Sequence, residues 1–373
     1  MDKHSPGARP VVLLVADPDV DRQGHDHLTR IAMAERIAVL HGSVYAGEFD
    51  PDSDYGGRPY FVPDCTLLHD DATRIGVRDH DDLFGGVVPY AFLANKIISH
   101  PLPAADAAAP RGWSPMLAQR LGGAVLPGFS AFDAGEARHA GRRLLALGQV
   151  RIKAALGVGG AGQAVAGDPQ ALDAALDAID PDELREHGVV VELDLPESRT
   201  YSVGALRLSG MPFAYYGTQL SVQDRDGQEV YGGTELVVLR GGFAELARLP
   251  LDGATHAAIE CAAGYDRAIS EEFPAFFASR RNYDVIAGSD SRGRRHRGVL
   301  EQSWRIGGAT PAELAAVEAL SKDPGLAWVS ASTHESHRPE TPPPRAQVHF
   351  HDPHSRSGPI LKYALVRKHG HTA

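Results

Sequence analysis

Residues 151–163 read Arg-Ile-Lys-Ala-Ala-Leu-Gly-Val-Gly-Gly-Ala-Gly-Gln, an apolar strand-like run carrying Lys153 and then four glycines in six residues: Gly157, Gly159, Gly160 and Gly162. Glycine accepts positive φ and leaves room beside the backbone, so such a loop can close its N–H groups on phosphate oxygens. Lys153 adds a point charge for the same anion. Gly157, Gly159 and Gly162 also satisfy G-x-G-x-x-G, the dinucleotide fingerprint. The loop therefore fits a phosphate lid, a dinucleotide turn or a plain hairpin between core strands. A dinucleotide loop must open a helix of about three turns that presents its N-terminus to the pyrophosphate. Here Gln163-Ala164-Val165-Ala166 runs into Gly167-Asp168-Pro169, which breaks the element early and favours strand, loop, strand. The full Walker pattern is absent, because no lysine follows Gly162.

Composition narrows the setting. A chain of 373 residues predicts two or three domains around a large core. Net charge of −11 argues against bulk binding to nucleic acid. No run of 18 or more apolar residues suggests a membrane span. Cys65 and Cys261 are the two cysteines, too few for a disulfide framework, and they point to a reducing cytoplasm.

The hydrophobic pattern predicts an α/β chain. A strand at 11–16 precedes a helix from about Asp21 to Leu40, and Pro59–Pro63 reads as a second strand. Pro89–His100 is an apolar segment carrying Lys96. Ser114-Pro115 reads as an N-cap opening a short helix. A strand at 124–126, a helix at 133–147, the lysine strand at 149–156 and a helix at 169–179 follow. Val189–Leu193 is a strand, and extended segments near 199–208, 211–223 and 229–240 suggest an antiparallel sheet. A helix over 254–270, strands at 283–288 and 297–305, and a helix opened by a Thr310–Glu313 capping box come next. From Thr333 the chain reads as a Pro/His-rich tail with a final strand at 359–366. His349 and His351 would share a strand face, but no third metal ligand is fixed by spacing.

In order and spacing these pieces resemble the ATP-grasp superfamily. The resemblance implies an α+β ATP-grasp fold: an N-terminal α/β domain over 1–87, a first subdomain with the glycine-rich lid over 88–186, a second subdomain over 187–332, and the tail over 333–373. It implies that Lys153 and Lys96 contact ATP phosphates beneath a loop of Gly157, Gly159, Gly160 and Gly162. Val189–Leu193 resembles the strand where Glu192 and the backbone of Leu193 meet the adenine, with Glu197 beside the ribose. The chain is also similar to an uncharacterised bacterial family of ATP-grasp-like proteins of comparable length.

Mg²⁺ bridging phosphates takes one or two carboxylates. ATP-grasp proteins supply these from two late strands, the second carrying E-x-N. Asp284 lies in the first matching run. In the second, Glu301 and Ser303 are two apart and share a strand face. Ser303 stands where asparagine is usual. Arg280, Arg281 and Arg305 flank these strands, and Gly307-Gly308 would leave backbone N–H groups free nearby. The resemblance implies an ATP- and Mg²⁺-dependent ligase that joins a small carboxylate to an amine through an acyl phosphate. Arg305 and Lys153 would serve catalysis, and a homodimer is compatible with the superfamily. Ser303 keeps open a nucleotide-binding relative without turnover; the glycine fingerprint alone keeps open an NAD-dependent oxidoreductase.

Overall fold

The structure is a computed structural model that describes residues 9–156, 162–223, 227, 229–355 and 358–371. The N-terminal unit pairs β1 (Val11–Leu14) in parallel with β2 (Tyr45–Glu48) on one side and β3 (Tyr60–Pro63) on the other. Helix α1 (His25–Leu40) covers this sheet through Met33, Ala34 and Ile37. It starts later than the periodicity predicts, because Asp21 forms a turn whose carboxylate accepts from Gln23 N–H and whose carbonyl accepts from Gly24 N–H. Beyond it, β4 (Leu67–Leu68), α2 (His69–Arg74) and β5 (Gly86–Val88) lead to two 3₁₀ turns, Ala91–Ala94 and Lys96–Ser99.

A second layer begins with α3 (Pro115–Leu121). Ser114 stands before it, but its hydroxyl donates to Glu272 Oε1 at 2.5 Å instead of capping the helix. The strand expected at 124–126 is instead the end of a 3₁₀ turn (Gly122–Ala124) followed by one bridge, Val125 to Val299. The real strand, β6 (Gly128–Ala131), begins after Pro127, which has no N–H to give a ladder. Helix α4 (Ala134–Leu145) is capped by Asp133, which accepts from the N–H groups of Gly135 and Glu136. Strands β7 (Val150–Ala154), β8 (Gln163–Ala166) and β9 (Val189–Leu193) complete an antiparallel sheet in the order β6-β9-β7-β8. Helices α5 (Pro169–Asp177) and α6 (Pro181–His187) separate β8 from β9. Leu144, Ile152, Leu172, Leu176 and Val191 pack together as the core of this layer.

The largest sheet carries the site. Strands β10 (Glu197–Leu208), β11 (Met211–Gln223) and β12 (Glu229–Arg240) form an antiparallel meander. Helices α7 (Phe243–Leu246) and α8 (Gly253–Glu272) follow, then the short β13 (Phe277–Ala278) paired with β5. Strands β14 (Arg280–Ser289) and β15 (Arg295–Ser303) join on the β10 side, and α9 (Thr310–Lys322) packs with Tyr215, Leu236 and Val238.

The segment from Thr333, expected as a tail with one final strand, contributes to three strands among the described residues. Strands β16 (Leu326–Ser336), β17 (Gln347–Asp352) and β18 (Ile360–His371) extend the sheet to eight in the order β15-β14-β10-β11-β12-β16-β18-β17. Lys362 fastens this end to α1, its Nζ lying 3.0 Å from Asp26 and 3.1 Å from Glu335. The alternation of Val, Leu and Ile in these strands is diluted by His and Lys, which hid a segment buried on one face only.

Candidate active site

Strand alternation sorts the large sheet into two faces. Tyr201, Val203, Ala205, Tyr283 and Val285 join the apolar core that contains α8. Ser202, Asn282 and Asp284 alternate with them and so point to the other side. Asp284 stands opposite Glu301 on β15, and Asn282 stands opposite Ser303. A register shift follows the Asp284–Glu301 pair, leaving Leu300 without a partner in the ladder. The two carboxylates face one another across neighbouring strands, at a spacing of about 5 Å between their Cα atoms.

Both predicted lysines reach this bulge. Lys153 Nζ donates to the Leu300 carbonyl at 3.1 Å, and Lys96 Nζ lies 3.1 Å from Glu301 Oε2. The Lys96 segment is tied to the same strand by Gln302, whose amide donates to the carbonyls of Leu93 and Asn95. Both lysines are almost fully buried. Gly157, Gly159 and Gly160 lie outside the described residues. Gly162 has φ +70°, and Ala154 N–H donates to its carbonyl, so the glycine loop joins two antiparallel strands. No helix opens after Gly162 as the dinucleotide reading requires, because β8 follows at once.

Glu192 is completely buried in β9. Lys153 Nζ lies 2.6 Å from its Oε1, and His100 Nε2 lies 2.7 Å from its Oε2. Burial opposes ionisation of this carboxyl, yet Lys153 and His100 overcome it and hold the pKa at about 2. Gly128 makes the arrangement possible, since a Cβ there would sit 2.6 Å from the His100 ring. His100 was not legible in the sequence, being 92 residues from its partner with no spacing signal. Leu193 N–H donates to the Pro127 carbonyl. Glu197 is exposed at the start of β10, whereas Asp194, which the sequence reading passed over, is buried and paired with Arg151 at 2.6 Å.

The depressed pKa of Glu192 sets a pH expectation. Its ion pair stabilises the fold above the ordinary carboxyl value, and that contribution is lost as pH falls towards 2. Lys153→Met removes the main attraction, so acid unfolding followed by circular dichroism is expected to begin roughly one pH unit higher. An unchanged acid limb would show that Lys153 does not hold this charge.

The arginines divide by role. Arg280 is not free for a ligand: it is fully buried and binds Glu313 through Nε at 3.0 Å and NH2 at 2.6 Å. Its NH1 donates to the carbonyls of Ser303 and Arg305 and lies 3.3 Å from Ser303 Oγ. Glu313 therefore serves no capping box. Thr310 Oγ1 instead accepts from Gly307 N–H, so that N–H is not free either. Arg281 pairs with Asp266 at 3.1 Å. Arg305 has no carboxylate partner among the described residues; it donates to the Ile306 carbonyl at 2.8 Å. Burial, with Arg280 and Arg30 nearby, lowers its pKa, while Glu301 pulls the other way. A guanidinium held so is ready for an anion.

Asp284 completes the picture. Burial first, then the charge of Glu301, pushes its carboxyl up to about 6, against hydrogen bonds from Asn282 at 2.9 Å and Ser202 at 3.2 Å. Two carboxylates with water and phosphate filling the remaining positions are the donor set Mg²⁺ prefers, so the residues fit that ion. Among the described residues no group of three His, Cys, Asp or Glu converges on a metal position, the His-rich strands included.

This fold has solved counterparts. It aligns with phosphoribosylamine–glycine ligase from Thermotoga maritima at TM-score 0.53 and 12% identity, covering 96% of this chain and 92% of that one. The biotin carboxylase domain of Hydrogenobacter thermophilus 2-oxoglutarate carboxylase, determined with MgADP, ADP and bicarbonate, aligns at TM-score 0.52 and 12% identity over 95% and 86% of the chains. Biotin carboxylase from Campylobacter jejuni, in a β,γ-ATP complex, aligns at TM-score 0.50 and 11% identity over 97% and 89%. The chain thus has an ATP-grasp fold. It belongs to the DUF3182 family, described as a protein of unknown function, whose profile matches residues 13–364. No curated protein matches it in sequence. No helix among the described residues is long and apolar enough to cross a membrane.

Proposed function

We propose that this protein is an ATP- and Mg²⁺-dependent ligase joining a small carboxylate to an amine or similar nucleophile. The observation that carries the reading is the Asp284–Glu301 pair, set opposite each other with Lys96 and Lys153 converging on the same strand. Residues 88–186 would serve as the subdomain bearing the glycine lid, and 187–332 as the subdomain bearing the carboxylates, after an N-terminal domain over 1–87.

The chemistry follows from charge. Asp284 and Glu301, with Ser303 at the margin, would hold Mg²⁺, which when bound neutralises phosphate charge. Lys153 and Lys96 bind phosphate oxygens, and the glycine loop encloses them. A substrate carboxylate oxygen attacks the γ-phosphorus as the bond to the β–γ bridging oxygen breaks, releasing ADP. An amine then attacks the acyl carbon; phosphate leaves with the carbon–oxygen bond pair, and the amine nitrogen loses a proton to solvent. Arg305, which feels the charge of Glu301, would neutralise the anionic oxygens of this sequence. Positioning and charge neutralisation account for such phosphoryl transfer without a protein nucleophile.

The test is release of ADP and phosphate from ATP–Mg²⁺ in pools of small carboxylic acids and amines. Stimulation by an acid–amine pair is the expected result. ATP binding without turnover in every pool would instead support a non-catalytic nucleotide-binding protein, a reading favoured by Ser303, whose side chain meets Arg280. Tight NAD binding without ATP binding would overturn both.

A further inference from the structure

Tyr215 has a single hydroxyl proton and stands between two acceptors. Its oxygen lies 2.7 Å from Glu313 Oε1 and 2.9 Å from Asn282 Oδ1. Gly204 leaves room for this position, because a Cβ there would fall 2.4 Å from the Tyr215 hydroxyl. Glu313 is a carboxylate clamped by Arg280, and it offers only acceptor oxygens. The hydroxyl proton therefore goes to Glu313, the closer and charge-assisted partner. The phenol oxygen is then left against the amide oxygen of Asn282, two acceptors in contact in a buried site.

Turning the Asn282 amide over removes the conflict. The two ends of an amide have nearly the same shape, so packing is unchanged and the proton count decides the orientation. Nδ2 then donates to Tyr215, and Arg280, Glu313 and Tyr215 are each satisfied. The exchange moves Oδ1 to the position facing Asp284 Oδ1, where Nδ2 now lies at 2.9 Å. Two oxygens side by side there need a cation, and hard oxygen donors suit Mg²⁺. Ser303, opposite Asn282 in the ladder, carries no amide and meets Arg280 instead.

We propose that Asn282 supplies a third protein oxygen to the cation at Asp284 and Glu301, its amide turning over as the cation binds. The amide missing at position 303 is thus provided from the neighbouring strand. The proposal rests on the reading of Asp284 and Glu301 as a cation site.

The test measures Mn²⁺ binding directly, by loss of the free-ion electron paramagnetic resonance signal with a non-hydrolysable ATP analogue present. Wild type is compared with Asn282→Ser, Tyr215→Phe and the double variant Asn282→Ser/Ser303→Asn, each shown to be folded by its thermal melt. Asn282→Ser is expected to weaken Mn²⁺ binding about tenfold or more. The double variant should recover most of that loss, since it returns an amide from the other strand. Tyr215→Phe, which removes the acceptor for the reversed amide, should weaken binding by a smaller factor. Wild-type affinity in Asn282→Ser overturns the proposal and leaves the Asp284–Glu301 site standing. A loss that the double variant does not recover also overturns it, because Asn282 would then act only through packing. If wild type binds no Mn²⁺, this proposal and the cation reading fall together.

Discussion

Glu301→Gln is expected to leave the protein folded and to lower ATP cleavage by on the order of 10²- to 10³-fold, as read by ADP release. The substitution keeps the shape of the side chain and removes one of the two charges that face each other on β14 and β15. Lys96, which lies 3.1 Å from Glu301, then loses its anion and adds repulsion to any cation at the site. The companion substitution, Asp284→Asn, separates binding from stability. Burial, then Glu301, raises the Asp284 carboxyl to about 6. A raised value in the folded state means that the contribution is fully present below the unfolded carboxyl value and is lost as pH rises through 6. At pH 7 without divalent cation, Asp284→Asn is therefore expected to melt above wild type, by roughly 2 kcal/mol of stability. Adding Mg²⁺ with nucleotide should stabilise wild type and leave the variant unmoved. A wild type that gains nothing from Mg²⁺ and nucleotide would remove the cation from the site.

The second large effect concerns stability alone. Arg280→Met is expected to cost about 3–5 kcal/mol in denaturant unfolding, because it leaves the carboxylate of Glu313 buried without its partner. The loss extends beyond the pair: the carbonyls of Ser303 and Arg305 lose a donor, and Tyr215 is left with an unbalanced neighbour. Arg280→Met with Glu313→Leu should recover much of the stability, since an apolar pair of similar volume can replace a buried ion pair. A single variant that unfolds like wild type would contradict the burial and charge assigned to this network. The network ties α9 to the strand bearing Asp284, so its loss should also loosen the site.

The glycine loop shows how far local pattern reaches. Gly167-Asp168-Pro169 announces the end of the strand that follows Gly162, and the structure places β8 there with Asp168 capping α5. The meander of β10, β11 and β12 was equally legible, since its alternation is written in neighbouring residues, although Gly232-Gly233, which reads as a turn, lies inside β12. Of the C-terminal strands only the last was legible, expected at 359–366 and found as β18. The histidine- and proline-rich run before it read as a tail, and only the pairing of β16 with β12 and of β17 with β18 reveals it as sheet.

The two faces of β14 and β15 mark the same boundary within the site. Sequence alone determined that Asp284 would sit on one strand, and Glu301 and Ser303 together on the face of another, because strand period is local. It also placed Lys153 before a glycine loop. Which charges are free and which are spent was decided by tertiary structure. Arg280 and Glu313, 33 residues apart, consume each other, and Glu192 is taken by Lys153 and His100 from opposite sides. The physical reason is that a buried charge must find a partner, and the nearest partner in space is set by how sheets and helices stack. Periodicity tells which way a side chain points; only the packed chain tells what it meets.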